Sequence, residues 1–196
     1  TLATLRRMAL REFDPLHLDV AAFARAGGEL SGAWPLGELA RVAHDVPADA
    51  MPLAPEDDRV SWSARGDLRP VRGGEPEIWL RLQAEARVPL QCQRCLQPVV
   101  EMLSVDRHIR FVQGEDAAAQ VDADSEDDVL ALTRALDLRE LVEDELLLAM
   151  PIVPRHEVCP EPLVVPPSVA DDADAGEAAP HPFAALAALK KPPLPN

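Results

Sequence analysis

Four side chains of this sequence could hold a metal ion, and they come as two closely spaced pairs. Cys92-Gln93-Arg94-Cys95 puts two thiols on one turn, where both sulfurs can face a single tetrahedral centre. Far downstream, His156-Glu157-Val158-Cys159 supplies a nitrogen and a third sulfur. A fold that joins the pairs would make a Cys3His zinc set. The first pair has no glycine beside it, and no second C-x-x-C accompanies it. A reduced structural pair is therefore the leading reading of these residues, with zinc and redox use as the alternatives. Redox use fits less well, because Pro98 and an extended stretch follow the pair. The helix N-terminus that would lower a thiol pKa is missing.

Two other groups invite a chemical reading. Glu143-Asp144-Glu145, with Glu140 just before, could suggest a carboxylate metal site of the nuclease type. On a helix, however, consecutive residues lie about 100° apart, so the three acids fan around the surface rather than converge. They are read as a solvated or partner-facing ridge, with Glu143, Asp144 and Glu145 as candidate protein contacts. Trp79, Arg81 and Arg87, with Arg94 at the turn beyond, could stack on bases and bind phosphates. Glu85 interrupts that face and the chain has no Tyr, so the pattern favours an ordinary solvated sheet face over an RNA contact. His17, His44, His108 and His181 stand alone in dissimilar contexts, and no nucleotide-binding or nucleophile motif is present. The chain is read as non-enzymatic, without catalytic residues, small-molecule substrate or required cofactor apart from the zinc alternative.

The elements that must position these residues follow from periodicity. Ile78, Leu80, Leu82, Ala84, Ala86 and Val88 alternate with polar partners in a long half-buried strand. Val99 to Val112 is a second β stretch, with Met102 out of phase as at a bulge. Antiparallel pairing of the two, with the C-x-x-C between them, is the simplest topology. Val60, Trp62 and Ala64 predict a further strand. Asp19 ahead of an Ala-rich run stopped by Gly27-Gly28 predicts a short helix. Gly32 to Pro35 reads as a turn, and a second helix is expected from Leu36 to Pro47. Asp137 with Glu140 resembles a capping box opening a helix whose stripe is Leu138, Leu141, Val142, Leu146 and Ala149, ended by Pro151.

The 196 residues suffice for one ordinary domain with tails, and 47% hydrophobic content can supply a core. No run approaches the roughly 18 apolar residues of a membrane helix, and no secretory signal is recognisable. With three cysteines a disulfide scaffold is not expected, and the thiols are read as cytosolic and reduced. The chain begins at Thr1 rather than Met, as expected of a sequence lacking its first residue or segment. The net charge of −15 is uneven: −2 over residues 1–113, −15 over 114–177 and +2 beyond. Overall acidity therefore does not exclude a nucleic-acid partner. Residues 113–128 read as an acidic, alanine-padded loop, and 160–181 as a disordered acidic linker. Phe183, Leu186 and Leu189 then form a short apolar helical face ahead of Lys190-Lys191, a candidate docking motif over 182–196.

Three stretches together carry a resemblance. Pro89-Leu90-Gln91-Cys92-Gln93-Arg94-Cys95-Leu96, Leu141-Val142-Glu143-Asp144-Glu145-Leu146 on to Pro151-Ile152-Val153-Pro154, and His181-Pro182-Phe183 on to Leu189-Lys190 occur in order. In these stretches the chain resembles the YceD family, the large ribosomal RNA subunit accumulation proteins. Arg11-Glu12-Phe13-Asp14-Pro15 and the Gly32 region also fit. The resemblance implies a cytoplasmic bacterial protein needed for synthesis, processing or stability of 23S ribosomal RNA. Its partners would be large-subunit precursor RNA, or the ribosomal proteins and processing enzymes on it. It implies no catalytic activity. Relatives in other branches carry extra cysteines after the acidic helix, where this chain has His156 and Cys159.

The expected fold is α+β: a small antiparallel sheet with flanking helices over residues 1–159, then the linker and the terminal motif. The expected role is a non-enzymatic ribosome-biogenesis factor. The alternative is a zinc-dependent protein-interaction module without RNA contact.

Overall fold

A computed structural model describes residues 13–55 and 57–160. The expected linker and the motif with Phe183, Leu186 and Leu189 lie outside the described residues, as does nearly all of the N-terminal arm.

The sheet is built on period-two sequence. Strand β1 (Glu29–Trp34), β2 (Val60–Arg69), β3 (Glu77–Gln91), β4 (Pro98–Val112) and β5 (Asp128–Ala131) lie side by side in chain order. All neighbours are antiparallel except β4 and β5, which are parallel. The long hairpin β3–β4 dominates, in unbroken register from Ile78 opposite Phe111 to Gln91 opposite Pro98. Leu80, Leu82, Ala84, Ala86, Val88 and Leu90 point into the core, as their alternation requires. The fold is the expected α+β class with a mostly antiparallel sheet.

Helices cover the inner face. Helix α1 (Val20–Arg25) starts where the Asp19 carboxylate accepts the Ala22 N–H at 2.9 Å, and stops before Gly27 at φ +58°. It buries Val20 and Phe23 against β2. Gly66 in β2 permits this approach, since a Cβ there would stand 2.8 Å from the Ala24 backbone. Gly66→Ala is expected to lower stability by about 1–3 kcal/mol, because backbone cannot give way as a side chain can. Gly37→Ala, with nothing within 4 Å, should stay within about 0.5 kcal/mol. Urea unfolding midpoints check both.

Helix α4 (Leu138–Ala149) is capped by Asp137, whose carboxylate accepts the N–H groups of Arg139 and Glu140. It packs Leu138, Leu141, Val142 and Leu146 onto the core, while Ala149 is exposed rather than part of the stripe. Among the described residues no helix is long and apolar enough to cross a membrane.

Four expectations are corrected. Gly32 is not in a turn but in β1, where a Cβ would press to 3.0 Å on the Trp62 ring; the glycine makes room for an indole. The helix expected from Leu36 to Pro47 is a 3-10 turn, Leu36–Glu38, followed by the five-residue α2 (Ala40–His44). Met102 marks no bulge; it sits in the regular ladder and faces solvent. Residues 113–128 are not a loop. They hold α3 (Glu115–Asp124), where alanines favour helix and acids at the first turn suit its dipole, and the chain then enters β5.

Candidate metal centre

The tip of the β3–β4 hairpin is the C-x-x-C turn. The Cys92 N–H donates to the Gln97 carbonyl at 3.0 Å and the Leu96 N–H to the Cys92 carbonyl at 2.9 Å, which closes the turn. Leu96 completes it at φ +63°, a left-handed conformation that glycine adopts without strain and leucine does not. The segment after α4 is tied to this turn by two bonds. Gln93 N–H donates to the Pro154 carbonyl at 2.8 Å, and the Arg94 guanidinium to the His156 carbonyl at 2.7 Å. Pro151 and Pro154 hold that segment out of helix and so deliver His156 and Cys159 to the tip.

The two sequence pairs meet there. Ligand atoms of Cys92, Cys95, His156 and Cys159 all lie within 4.8 Å of one another. Cys92 Sγ is 4.0 Å from Cys159 Sγ, and Cys95 Sγ is 3.4 Å from His156 Nδ1. Zinc bonds of about 2.3 Å to sulfur and about 2.0 Å to nitrogen, in a tetrahedron, put two sulfurs roughly 3.8 Å apart and sulfur and nitrogen roughly 3.5 Å apart. The Cys92–Cys159 and Cys95–His156 edges are close to those figures. The cluster can hold a metal ion.

The surroundings suit a bound thiolate. Burial pushes the Cys92 thiol up, but backbone N–H groups of Cys95, Arg94 and His156 aimed at it, with the His156 side chain, outweigh burial and bring it down to about 5. Cys159 moves the other way, up to about 11, by burial first and then because its S–H donates to the sulfurs of Cys95 and Cys92, which favours the protonated form. Cys92 is thus ready as an anion, while Cys159 needs a cation beside it to lose its proton.

The candidate RNA-facing residues are engaged within the chain. Trp79 is 4% exposed, with the Arg69 guanidinium 3.7 Å above its ring and its indole N–H bonded to Glu77 at 3.0 Å. Arg81 makes a two-pronged pair with Asp106 at 2.9 and 2.6 Å, which holds its guanidinium charge firmly and keeps the Asp106 carboxyl below its usual range. Arg87 pairs with Asp57 at 2.6 Å, and Arg94 holds His156 as described.

The acidic triplet is also engaged within the chain. Glu143 is 9% exposed and accepts the Arg41 backbone N–H at 2.6 Å and the Val42 N–H at 3.3 Å, at the start of α2. The same carboxylate binds the Arg41 guanidinium at 3.1 and 3.0 Å, and Asp144 binds its other nitrogen at 2.6 Å. Glu145 pairs with Arg107 of β4 at 2.9 Å. These carboxylates fan around the helix as its geometry requires, but each finds an arginine of its own chain. The signal that sequence reading missed is Arg41, whose partner lies 102 residues away.

Sheet, covering helices and hairpin-tip cluster together define an α+β domain with a Cys3His group able to take a metal. No solved structure matches the chain. Residues 80–190 match the family model described as large ribosomal RNA subunit accumulation protein YceD, and the chain belongs to that family. The matched span begins in β3 and includes all four cluster residues and the acidic triplet.

Proposed function

We propose that this protein is a non-enzymatic factor supporting synthesis, processing or stability of 23S ribosomal RNA in the cytoplasm, and that zinc fixes its hairpin tip. The family match over residues 80–190 carries the role. The four ligand atoms within 4.8 Å carry the metal, and three sulfurs with one nitrogen suit zinc among the common divalent ions. Cys92, Cys95, His156 and Cys159 would bind it, tying the segment 151–160 to the sheet without a catalytic step.

Contact through protein partners on the precursor RNA is the favoured mode. Trp79, Arg81, Arg87 and Arg94 would have to leave their present partners to reach RNA, and residues 1–113, which hold them, carry a net −2 and so no cationic excess for phosphates. This brings the role close to that of a zinc-dependent interaction module. Deleting the gene is expected to lower the ratio of mature 23S to 16S ribosomal RNA, measured by quantitative electrophoresis during fast growth. An unchanged ratio would reject the role.

A further inference from the structure

Among the described residues, the segments beside the metal ligands carry most of the large apolar side chains that the fold leaves exposed. Among the described residues ten large apolar side chains are exposed, and Leu96, Val100, Met102, Ile152, Val153 and Val158 are six of them. All six fall on the stretches 96–102 and 152–158, which the cluster and the bonds Gln93–Pro154 and Arg94–His156 hold together. Ile152 is 99% exposed and Val158 85%. Neither contributes to the core.

Leu96 adds a backbone observation. Its φ of +63° is strained for leucine, and its side chain is 52% exposed. Glycine would relax the turn at the cost of only the half of the leucine that is covered. A strained residue presenting an apolar side chain to solvent points to a use at the surface.

Charge selects the occupant. Outside the cluster itself, the charged side chains on 91–102 and 151–160 are Arg94, Glu101, Arg155 and Glu157, which cancel, while the whole chain carries −15. A neutral rim offers no excess cations for a phosphate backbone. An acidic chain with a neutral apolar rim fits a basic protein: the field steers the encounter and apolar contact holds it. We infer that the rim around Leu96, Ile152 and Val158 docks an apolar segment of a basic protein. The inference deepens the proposed role in 23S ribosomal RNA accumulation, and rests on it for where such a partner is found.

The test uses the full chain in cells, with a photo-crosslinking amino acid at Ile152 or, on the outer sheet face, at Gln83. Position 152 is expected to crosslink to a protein of isoelectric point above about 9, identified by mass spectrometry, and position 83 is not. That protein, purified, should bind the wild-type chain roughly ten-fold more tightly than Leu96→Gly. The melting midpoint of Leu96→Gly should stay within a few degrees of wild type, relieved strain offsetting the lost half-buried contact and the freer unfolded chain. Crosslinking from 152 to RNA, to a second copy or to nothing would overturn the inference, as would equal binding by Leu96→Gly. The 23S to 16S ratio on deletion is read separately: an unchanged ratio rejects the ribosomal role alone, and a missing crosslink rejects the rim alone.

Discussion

With zinc in the proposed Cys3His site, adding a chelator is expected to lower the melting midpoint by roughly 8–16 °C. Free zinc at a thousand times its Kd stabilises a folded state by about 4 kcal/mol, and each kcal/mol is about 2–4 °C in a domain of this size. The loss should be felt at the hairpin tip first. Without a cation, three sulfurs and an imidazole within 4.8 Å have no common partner, and the segment bearing His156 and Cys159 relies on weak sulfur contacts and the Gln93–Pro154 and Arg94–His156 bonds. Cys92→Ala should match the chelated wild type and be indifferent to chelator. Differential scanning calorimetry with and without chelator separates this from packing. A buried cysteine that merely fills space would make Cys92→Ala destabilising while leaving the wild type insensitive to chelation.

Glu143→Ala should be a heavily destabilising change at a charged residue, at about 2–4 kcal/mol. The Glu143 carboxylate accepts two backbone N–H groups of α2 and two nitrogens of the Arg41 side chain, while itself only 9% exposed. Its removal strands the buried Val42 donor and leaves the Arg41 guanidinium with Asp144 alone. The figure sits below that of a fully buried pair because the Arg41 side chain is half exposed. Asp144→Ala, which removes an exposed member of the same cluster, should cost no more than about 1 kcal/mol. Urea unfolding measures both, and a double-mutant cycle with Arg41→Ala isolates the coupling. Equal effects from the two acids would show that the triplet is a solvated ridge, not a clamp between α4 and α2.

These two sites show what sequence can and cannot disclose. The β3–β4 hairpin was legible because burial on one face of a pleat imposes alternation from Ile78 to Val88. The cap at Asp137 was legible because its partners are two and three residues away. The two halves of the Cys3His group were each visible by spacing. Their meeting was not, since nothing local to Cys92 tells that Cys159, 67 residues on, turns back to it. Glu143 failed for the same reason, its arginine lying on a short helix that sequence had drawn too long. Gly32 and the run Ala117-Ala118-Ala119 misled through composition. A glycine that admits an indole looks like a turn glycine, and a helix rich in acid looks like a loop.

The family assignment gives the protein its setting, but the physical claim at the centre of this account is a zinc ion joining the hairpin tip to residues 156–159. Metal analysis of the full chain, purified under reducing conditions and dialysed against metal-free buffer, tests it most directly. About one zinc per chain is expected for the wild type, falling steeply in Cys159→Ser. A wild-type content below about 0.2 zinc per chain, unchanged by Cys159→Ser, would contradict it.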